Sequence, residues 1–261
     1  DVLFLCTAHG DSGHFLQENP FCEHTRIIDL SNEFRLKADS RFMGRKFVYG
    51  LPEVNRAKIV RAHDIANPGC FATAIQLALA PLAANGLLNS DVHVNAITGS
   101  TGAGVKPSAT THFSWRADNL SYYKPFTHQH LGEIKETLTR LNGSLDHEIY
   151  FLPLRGNHTR GIFATAYTDF EGDLEQARRL YADFYRSAAF TLLSDAPQVH
   201  MKMAVNTNKC VLGLHKHGNK LLITSVIDNL IKGASGQAVQ NMNLMFGLPE
   251  DMGLDLKGSA F

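Results

Sequence analysis

The sequence of 261 residues has few cysteines, no excess of charge and no long apolar run. Four cysteines without a CxxC spacing support neither a disulfide scaffold nor a zinc site, and they favour a reducing, cytoplasmic compartment. The 25 basic and 25 acidic side chains cancel, which gives no electrostatic case for nucleic acid. No apolar run reaches the roughly 18–20 residues of a membrane span. With 44% hydrophobic residues, the chain can bury one large or two modest cores.

The N-terminal part lacks a starting methionine and a signal peptide. It opens on DVLFLC, a pattern typical of a buried strand, so we expect that sequence has been lost upstream. Short apolar runs at 2–5, 26–30 and 63–67 predict buried strands, and 52–60 predicts a short helix between them. Strands separated by such crossovers indicate part of a parallel α/β sheet.

The remaining chain predicts a mostly antiparallel sheet covered by helices on one face. A helix is expected from Cys70 to about Ala84, kinked or ended early by Pro81. Asp173 and Gln176 have the spacing of a capping box for a later helix, and Gly218-Asn219 is a two-residue hairpin signal. Strands are predicted at 92–98, 148–154, 162–168, 208–217 and 220–227, and further helices at 132–141, 173–188 and 233–247.

Cys70 is the candidate nucleophile, because it follows a Pro-Gly turn and precedes a helix. Backbone N–H groups and the positive end of the helix dipole favour the thiolate, which is the reactive form. The same N–H groups can stabilise an oxyanion at a bound carbonyl. The alternative is a buried, inert cysteine, which is the more common case for an arbitrary cysteine and the interpretation we keep for Cys6 and Cys210.

Several motifs resemble those of the N-acetyl-gamma-glutamyl-phosphate reductases, which are relatives of the aspartate-semialdehyde dehydrogenases. The run IANPGCFATA around Cys70, followed by ALAP, resembles that family's active-site signature. DLSNEFRL (29–36), YGLPE (49–53), GSTGAGVKPS (99–108), THQHLGEI (127–134), RGI (160–162) and DNLIKGASGQAVQNMN (228–243) resemble further family segments in the same order. The resemblance therefore covers the whole chain.

The resemblance implies roles for individual residues. One of the paired histidines would exchange protons with Cys70, and we expect His130 rather than His128. Glu133 can orient an imidazole, or it is an ordinary acidic residue of a first helical turn. Arg35, Ser100, Lys106 and Arg160 are predicted to bind substrate, the arginines by bidentate contact with a carboxylate or phosphoryl group unless they are solvated surface residues. Gly102, Gly104, Asn229 and Gly233 are predicted to line the nicotinamide cofactor.

The implied architecture combines a partial Rossmann-like nucleotide domain with a mostly antiparallel catalytic and dimerisation domain. We expect the remainder of the NADP-binding domain at 1–69, the catalytic domain at 70–228 and a C-terminal helix returning to the first domain at 229–261. The family's G-x-x-G-Y-x-G turn is absent, which puts NADPH binding by this chain alone in question. A second departure is Leu154, where the family usually has histidine.

The implied reaction is the NADPH-dependent reduction of N-acetyl-gamma-glutamyl phosphate to the semialdehyde in arginine biosynthesis, through a thioester on Cys70. Two alternatives stay open: a related reductase of N-succinylglutamyl or aspartyl phosphate, and a non-catalytic scaffold that lacks its cofactor site. We expect a homodimer or homotetramer. His215 and His217 share one face of a strand but have no third ligand at a suggestive spacing, so no metal site is predicted.

Overall fold

The computed structural model describes residues 1–8, 10–104 and 106–258 of the chain. Two β-sheets organise these residues, and one long buried helix begins where the first sheet ends. This division agrees with the predicted combination of a parallel sheet and a mostly antiparallel sheet.

The first sheet has five strands in the order β1-β2-β5-β4-β3, with β1, β2, β5 and β4 parallel and β3 antiparallel to β4. The apolar runs of its central strands are continuous rather than alternating, because both faces of these parallel strands are covered. The strands are β1 (Val2–Leu5), β2 (Arg26–Asp29), β3 (Arg41–Phe42), β4 (Arg45–Tyr49) and β5 (Asp64–Ala66), and the helices in this region are α1 (Ser12–Glu18) and α2 (Pro52–Ile59).

The second sheet has seven strands in the order β10-β11-β12-β9-β6-β8-β7. Four of its six pairings are antiparallel (β11–β12, β12–β9, β9–β6 and β8–β7), which confirms the predicted sheet type. Its strands are β6 (Val92–Thr98), β7 (Ser121–Tyr122), β8 (Ile149–Arg155), β9 (Ile162–Asp169), β10 (Thr191–Leu193), β11 (Cys210–His217) and β12 (Lys220–Ile227). The helices are α3 (Cys70–Ala84), α4 (Phe113–Arg116), α5 (His130–Asn142) and α6 (Leu174–Phe184).

Helix α3 forms the centre of the main core and is buried from Phe71 to Ala83. The expectation that Pro81 ends it early is wrong, because the helix continues to Ala84. Proline cannot donate to the carbonyl four residues back, which leaves that acceptor without its helical partner. Here the Leu77 carbonyl accepts a 2.5 Å hydrogen bond from the Tyr185 hydroxyl instead. A side chain directly after α6 therefore compensates for the missing backbone donor.

The C-terminal part of the chain returns to the first sheet. A π-helical turn, Ile231–Ser235, leads into α7 (Gly236–Met245). Ala238, Leu244 and Met245 pack in one apolar cluster with Ile28 and Ile65 of the parallel strands. This packing places the π-helical turn beside the start of α3. Among the described residues no helix is long and apolar enough to cross a bilayer.

One face of the seven-stranded sheet is only partly covered, by Val199, Met201, Met203 and Ala204, which pack on Phe163, Val211 and Val226. Tyr150 and Tyr167 are 38% and 36% exposed on this face. His93 lies between their rings, with centroid distances of 5.1 and 4.9 Å. We refer to these three residues as the aromatic ladder. The opposite face packs on α3, α5 and α6.

Candidate active site

Cys70 is the first residue of α3, directly after the turn that follows β5. Its side chain is half-buried. Burial raises the pKa of the Cys70 thiol to about 11, although backbone N–H groups at Phe71 and Cys70 and the Arg35 charge lower it. The backbone N–H groups therefore act in the predicted direction, but the loss of hydration on burial outweighs them in the protein without ligand. A proton acceptor is needed to make the sulfur reactive.

His128 and His130 lie together at the N-terminus of α5. Both side chains are 6% exposed, and their ring centroids are 4.6 Å apart. Nδ1 of His128 accepts a 3.2 Å hydrogen bond from the backbone N–H of His130. Burial among Phe71 and Phe151, followed by the Lys124 charge, lowers the pKa of His128 to about 4. His128 is therefore a neutral acceptor that holds the start of α5 in place.

Glu133 is the centre of a buried hydrogen-bond network one turn after His130. Its carboxylate accepts hydrogen bonds from the Tyr49 hydroxyl at 2.6 Å, from Arg35 at 3.0 Å and from the backbone N–H of Gly69 at 3.1 Å. The same carboxylate lies 3.9 Å from Nε2 of His130. Glu133 thus joins the end of β4, the turn before Cys70 and the imidazole.

Arg35 supports this network through three hydrogen bonds. Besides Glu133, its guanidinium donates to the carbonyls of Asn67 and Leu30, at 2.9 and 3.0 Å. The side chain is almost wholly buried. All three nitrogens of the guanidinium thus donate to protein acceptors, and the predicted contact between Arg35 and substrate stays a prediction.

Two glycines allow the elements around Cys70 to approach closely. A Cβ atom at Gly69 would collide with the imidazole of His130 and with the Arg35 guanidinium. A Cβ atom at Gly233, in the π-helical turn, would lie 2.8 Å from Cβ of Cys70. The predicted residue Gly233 is therefore directly against the nucleophile.

The glycine-rich loop at 99–108 is joined to the start of β9. Ser100 and Gly102 belong to a short 3₁₀ helix, Ser100–Ala103, in which the Ser100 N–H donates to the His158 carbonyl at 2.8 Å. Gly104 has a left-handed φ of +75°, a conformation that favours glycine. Lys106 is exposed. Val105 lies outside the described residues, and the structure does not bring Lys106 into the cluster around Cys70.

Asn229 and Arg160 are also engaged with protein groups. The Asn229 side chain accepts from the Gly161 N–H at 2.7 Å and donates to Thr101 at 3.0 Å. Arg160 forms an ion pair with the buried Asp228 at 3.1 Å, and its Nε has no hydrogen-bond partner. These contacts connect the loop at 99–104 with the segment that precedes the π-helical turn.

The residues present fit the nicotinamide end of a dinucleotide. Such cofactors bind at the carboxyl ends of parallel strands. The Asn67 amide, directly after β5, donates to the Ala234 carbonyl at 3.0 Å, which brings the π-helical turn over this end of the sheet. The sequence from 233 to 236 is Gly-Ala-Ser-Gly, so only small side chains lie there beside Cys70. A flat ring can approach such a surface closely.

A large cleft among the described residues does not contain Cys70. It has a volume of about 1110 Å³ and is bordered by the β3–β4 hairpin and α5. Arg35, Tyr49 and Glu133 line its inner end, so it reaches the back of the hydrogen-bond network. The candidate nucleophile Cys70 and the two histidines converge outside this cleft, at the start of α3. Within the described ranges, no three His, Cys, Asp or Glu side chains are grouped as metal ligands would be.

Sequence reasoning missed two tyrosines of this site. Tyr49 begins the YGLPE motif, so the sequence marked this residue as part of a family segment. It did not predict the hydrogen bond from Tyr49 to Glu133. Tyr123 packs against His128 with a centroid distance of 5.6 Å. Burial raises the pKa of Tyr123, and the nearby Cys70 adds to this effect. No local sequence pattern pointed to Tyr123.

Comparison with known proteins identifies the family. The family model described as "Semialdehyde dehydrogenase, NAD binding domain" matches residues 1–62, and "Semialdehyde dehydrogenase, dimerisation domain" matches residues 70–229. Proteins named N-acetyl-gamma-glutamyl-phosphate reductase from Christiangramia forsetii and Flavobacterium johnsoniae are 62% and 59% identical over all 261 residues. The matched region is 80% of each of those proteins.

Solved structures support the same fold. Aspartate semialdehyde dehydrogenase II of Vibrio cholerae and the aspartate semialdehyde dehydrogenase of Francisella tularensis each match with a TM-score of 0.69. The matches cover 94% of this chain and 79% and 82% of those chains, at 15% and 14% identity. The match with both family models and the high identity over the full chain show that this protein belongs to the N-acetyl-gamma-glutamyl-phosphate reductase family of semialdehyde dehydrogenases.

Proposed function

We propose that this protein reduces N-acetyl-gamma-glutamyl phosphate to N-acetylglutamate 5-semialdehyde and phosphate, with NADPH as the reductant. The observation that carries this proposal is the convergence of Cys70, His130 and Glu133 at the junction of the two sheets. The names of the relatives supply the substrate. A cysteine suits this reaction because it is both a good nucleophile and a good leaving group.

His130 takes the proton of the Cys70 thiol as the sulfur attacks the acyl phosphate carbon. The C–O bond to phosphate then breaks, and a thioester with Cys70 remains. Backbone N–H groups at the start of α3 stabilise the negative charge on sulfur, and they lower the pKa of Cys70 in the resting protein as well. Glu133 holds the imidazole and the turn at Gly69 in one arrangement.

The nicotinamide cofactor supplies the hydride that reduces the thioester carbon. Gly233 and Asn229 are the residues that we assign to its nicotinamide end. When the resulting thiohemiacetal collapses, the C–S bond breaks and the aldehyde leaves. His130 returns its proton to the sulfur, which restores the starting thiol. His128 stays neutral throughout, because burial lowers its pKa to about 4.

We further propose that the partly covered face of the seven-stranded sheet forms the contact between two copies of the chain. The family model that matches residues 70–229 is described as a dimerisation domain. The aromatic ladder, with its exposed tyrosine rings, is the kind of surface that association covers. A homodimer buries this face without any change in the active site.

The test is a phosphate-dependent oxidation assay in the reverse direction. The full chain is incubated with the aldehyde, inorganic phosphate and either NADP⁺ or NAD⁺. We expect turnover with N-acetylglutamate 5-semialdehyde, faster with NADP⁺, and none with Cys70→Ser. Cys210→Ser is the matched control and should keep turnover. Cys210 is buried in β11, where its thiol shares a hydrogen bond with the Ser225 hydroxyl. Turnover of aspartate semialdehyde alone would favour the related reductase, and the absence of all turnover would favour the scaffold.

A further inference from the structure

Arg116 and Arg155 form a pair of guanidinium groups that the mechanism above does not use. Arg116 ends the short helix α4 and is 7% exposed, and Arg155 ends β8 and is half-buried. The Arg116 guanidinium donates to the Thr98 carbonyl at 3.2 Å. Thr98 is the register partner of Arg155 in the pairing of β6 with β8. The two arginines are therefore brought together by sheet pairing, 39 positions apart in the chain.

This pair lies beside the active site. The Arg155 guanidinium stacks on the ring of Tyr123, with Cζ 4.0 Å from the ring centroid. Tyr123 also packs against His128, whose ring lies 4.6 Å from that of His130. Tyr123 is also close enough to Cys70 for the thiolate charge to act on its pKa. One tyrosine thus connects the arginine pair with the nucleophile.

The arginine pair has unused capacity to bind an anion. Among the described residues, no carboxylate forms an ion pair with either guanidinium. Nε of Arg116 is buried and has no hydrogen-bond partner, which is costly for a charged donor. Burial and the neighbouring Arg155 charge lower the pKa of Arg116, as expected for like charges without a counter-ion. An oxyanion would supply both the missing acceptors and the missing negative charge.

We propose that Arg116 and Arg155 form an oxyanion subsite that binds a charged group of the substrate. The inference deepens the proposed function, because it assumes that the substrate of Cys70 is anionic. Carboxylate and phosphate share the chemistry that a guanidinium recognises. Three groups of the substrate could be the bound oxyanion. They are the α-carboxylate of the glutamyl unit, the phosphoryl group, and a carboxylate on the N-acyl chain, such as that of a succinyl group.

The first experiment measures binding without turnover. The melting temperature of the wild-type chain is recorded in sodium phosphate, in sodium succinate and in sodium chloride of equal ionic strength. We expect phosphate or succinate to raise it relative to chloride, and Arg155→Gln to abolish this rise. Arg179→Gln removes an exposed arginine of α6. This control variant should show the same rise in melting temperature as the wild type. The melting temperature in chloride and the circular dichroism spectrum report whether each variant is folded.

The second experiment identifies the bound group through the reverse reaction. Arg155→Gln should raise one KM about 10- to 100-fold, as expected for the loss of a charge-assisted bond. A higher KM for phosphate alone identifies the phosphoryl group. A higher KM for both the N-acetyl and the N-succinyl aldehyde identifies the α-carboxylate. A change for the N-succinyl aldehyde alone identifies the acyl carboxylate. Arg155→Lys keeps the positive charge but loses the planar, bidentate guanidinium. Its KM for the affected substrate should lie between those of the wild type and Arg155→Gln.

The subsite proposal is overturned if the folded Arg155→Gln protein keeps the wild-type anion shift and all three wild-type KM values. Failure of the proposed function looks different: the wild-type chain would show no turnover of any aldehyde, while the melting experiment would still report whether the arginine pair binds an oxyanion.

Discussion

The Arg35 guanidinium lies 3.0 Å from the Glu133 carboxylate, and both side chains are almost wholly buried. Arg35 belongs to the segment after β2, and Glu133 belongs to α5, which packs under the second sheet. The pair therefore couples the two halves of the chain at the point where Cys70 begins α3. Its partners, Tyr49 and the Gly69 N–H, complete a network that fixes the active-site turn.

We predict that Tyr49→Phe lowers kcat about tenfold, which corresponds to ~1.4 kcal/mol in the activation free energy. The change removes the 2.6 Å hydrogen bond to Glu133 and thereby loosens the group that orients His130. The free energy of unfolding should fall by about 1.5–3 kcal/mol, as for other bonds to charged groups. Steady-state kinetics and urea unfolding measure the two effects.

Tyr181→Phe is the matched control for this prediction. Tyr181 is also buried and donates a 2.6 Å hydrogen bond, but to the Ala78 carbonyl in the middle of α3. The variant should lose about 1 kcal/mol of stability and keep the wild-type kcat. Equal kcat values for the two variants would show that the bond between Tyr49 and Glu133 has no part in catalysis.

Gly233→Ala is expected to reduce kcat/KM at least about 100-fold while the protein stays folded, because displacements of about 1 Å at a reacting group have effects of this size. The added Cβ would lie 2.8 Å from Cβ of Cys70 and 3.3 Å from the Asp228 carbonyl, so the π-helical turn or Cys70 must shift. Gly132→Ala is the control, since its Cβ would meet only the Leu36 side chain at 3.5 Å. Wild-type kinetics for Gly233→Ala would contradict the proposed close approach.

The buried His128 should make the protein less stable in acid. Its pKa is about 4 in the folded state and 6.5 in the unfolded chain, so the unfolded chain binds more protons between these values. The contribution of neutral His128 to the free energy of unfolding is therefore fully present above pH 6.5, and it is lost as the pH drops toward 4. We expect this histidine to account for about 2–3 kcal/mol of the loss between pH 7 and pH 4.5.

Urea unfolding of His128→Asn at both pH values measures this contribution. Asparagine offers an oxygen acceptor to the His130 N–H but does not titrate. The variant should lose less stability in acid than the wild type does. His147→Asn, at an exposed histidine, should show the wild-type loss. The same loss in all three proteins would mean that His128 does not titrate as assigned.

Tyr167→Glu is expected to convert the proposed dimer to a monomer. The change places a charge at one end of the aromatic ladder, on strand β9 between β6 and β12, which the partner would cover. Light scattering coupled to gel filtration measures the molar mass. Val60→Glu, at a 49% exposed residue after α2, is the control and should leave the mass unchanged. A wild-type monomer, or a Tyr167→Glu dimer, would refute the proposed interface.

Much of the fold follows from local sequence patterns. The capping box of Asp173 and Gln176 forms as predicted, with both hydrogen bonds present. Strands β11 and β12 pair on either side of Gly218, which has the expected left-handed φ of +54°. The short elements α1, α4, β3, β7 and β10 were missed, because they have too few residues to show a period.

The candidate site was predictable only in part. The motifs singled out Cys70, His128 and His130, and the structure brings all three into one cluster around Phe71. The substrate contacts predicted for Arg35 and Arg160 were chosen by residue type, and both side chains are held by protein carboxylates. Residue type cannot tell a paired guanidinium from an unpaired one, since the partner lies far away in the sequence.

The sequence by itself determined the order of the longer strands and helices, and it placed Cys70 at the head of a helix behind a Pro-Gly turn. These features depend on dihedral preferences and apolar periods within a few residues. Only the tertiary structure shows the burial that raises the pKa of that thiol and the different surroundings of the two histidines. Both depend on desolvation and hydrogen bonds from distant segments, as the contact between Tyr49 and Glu133 across 84 positions illustrates.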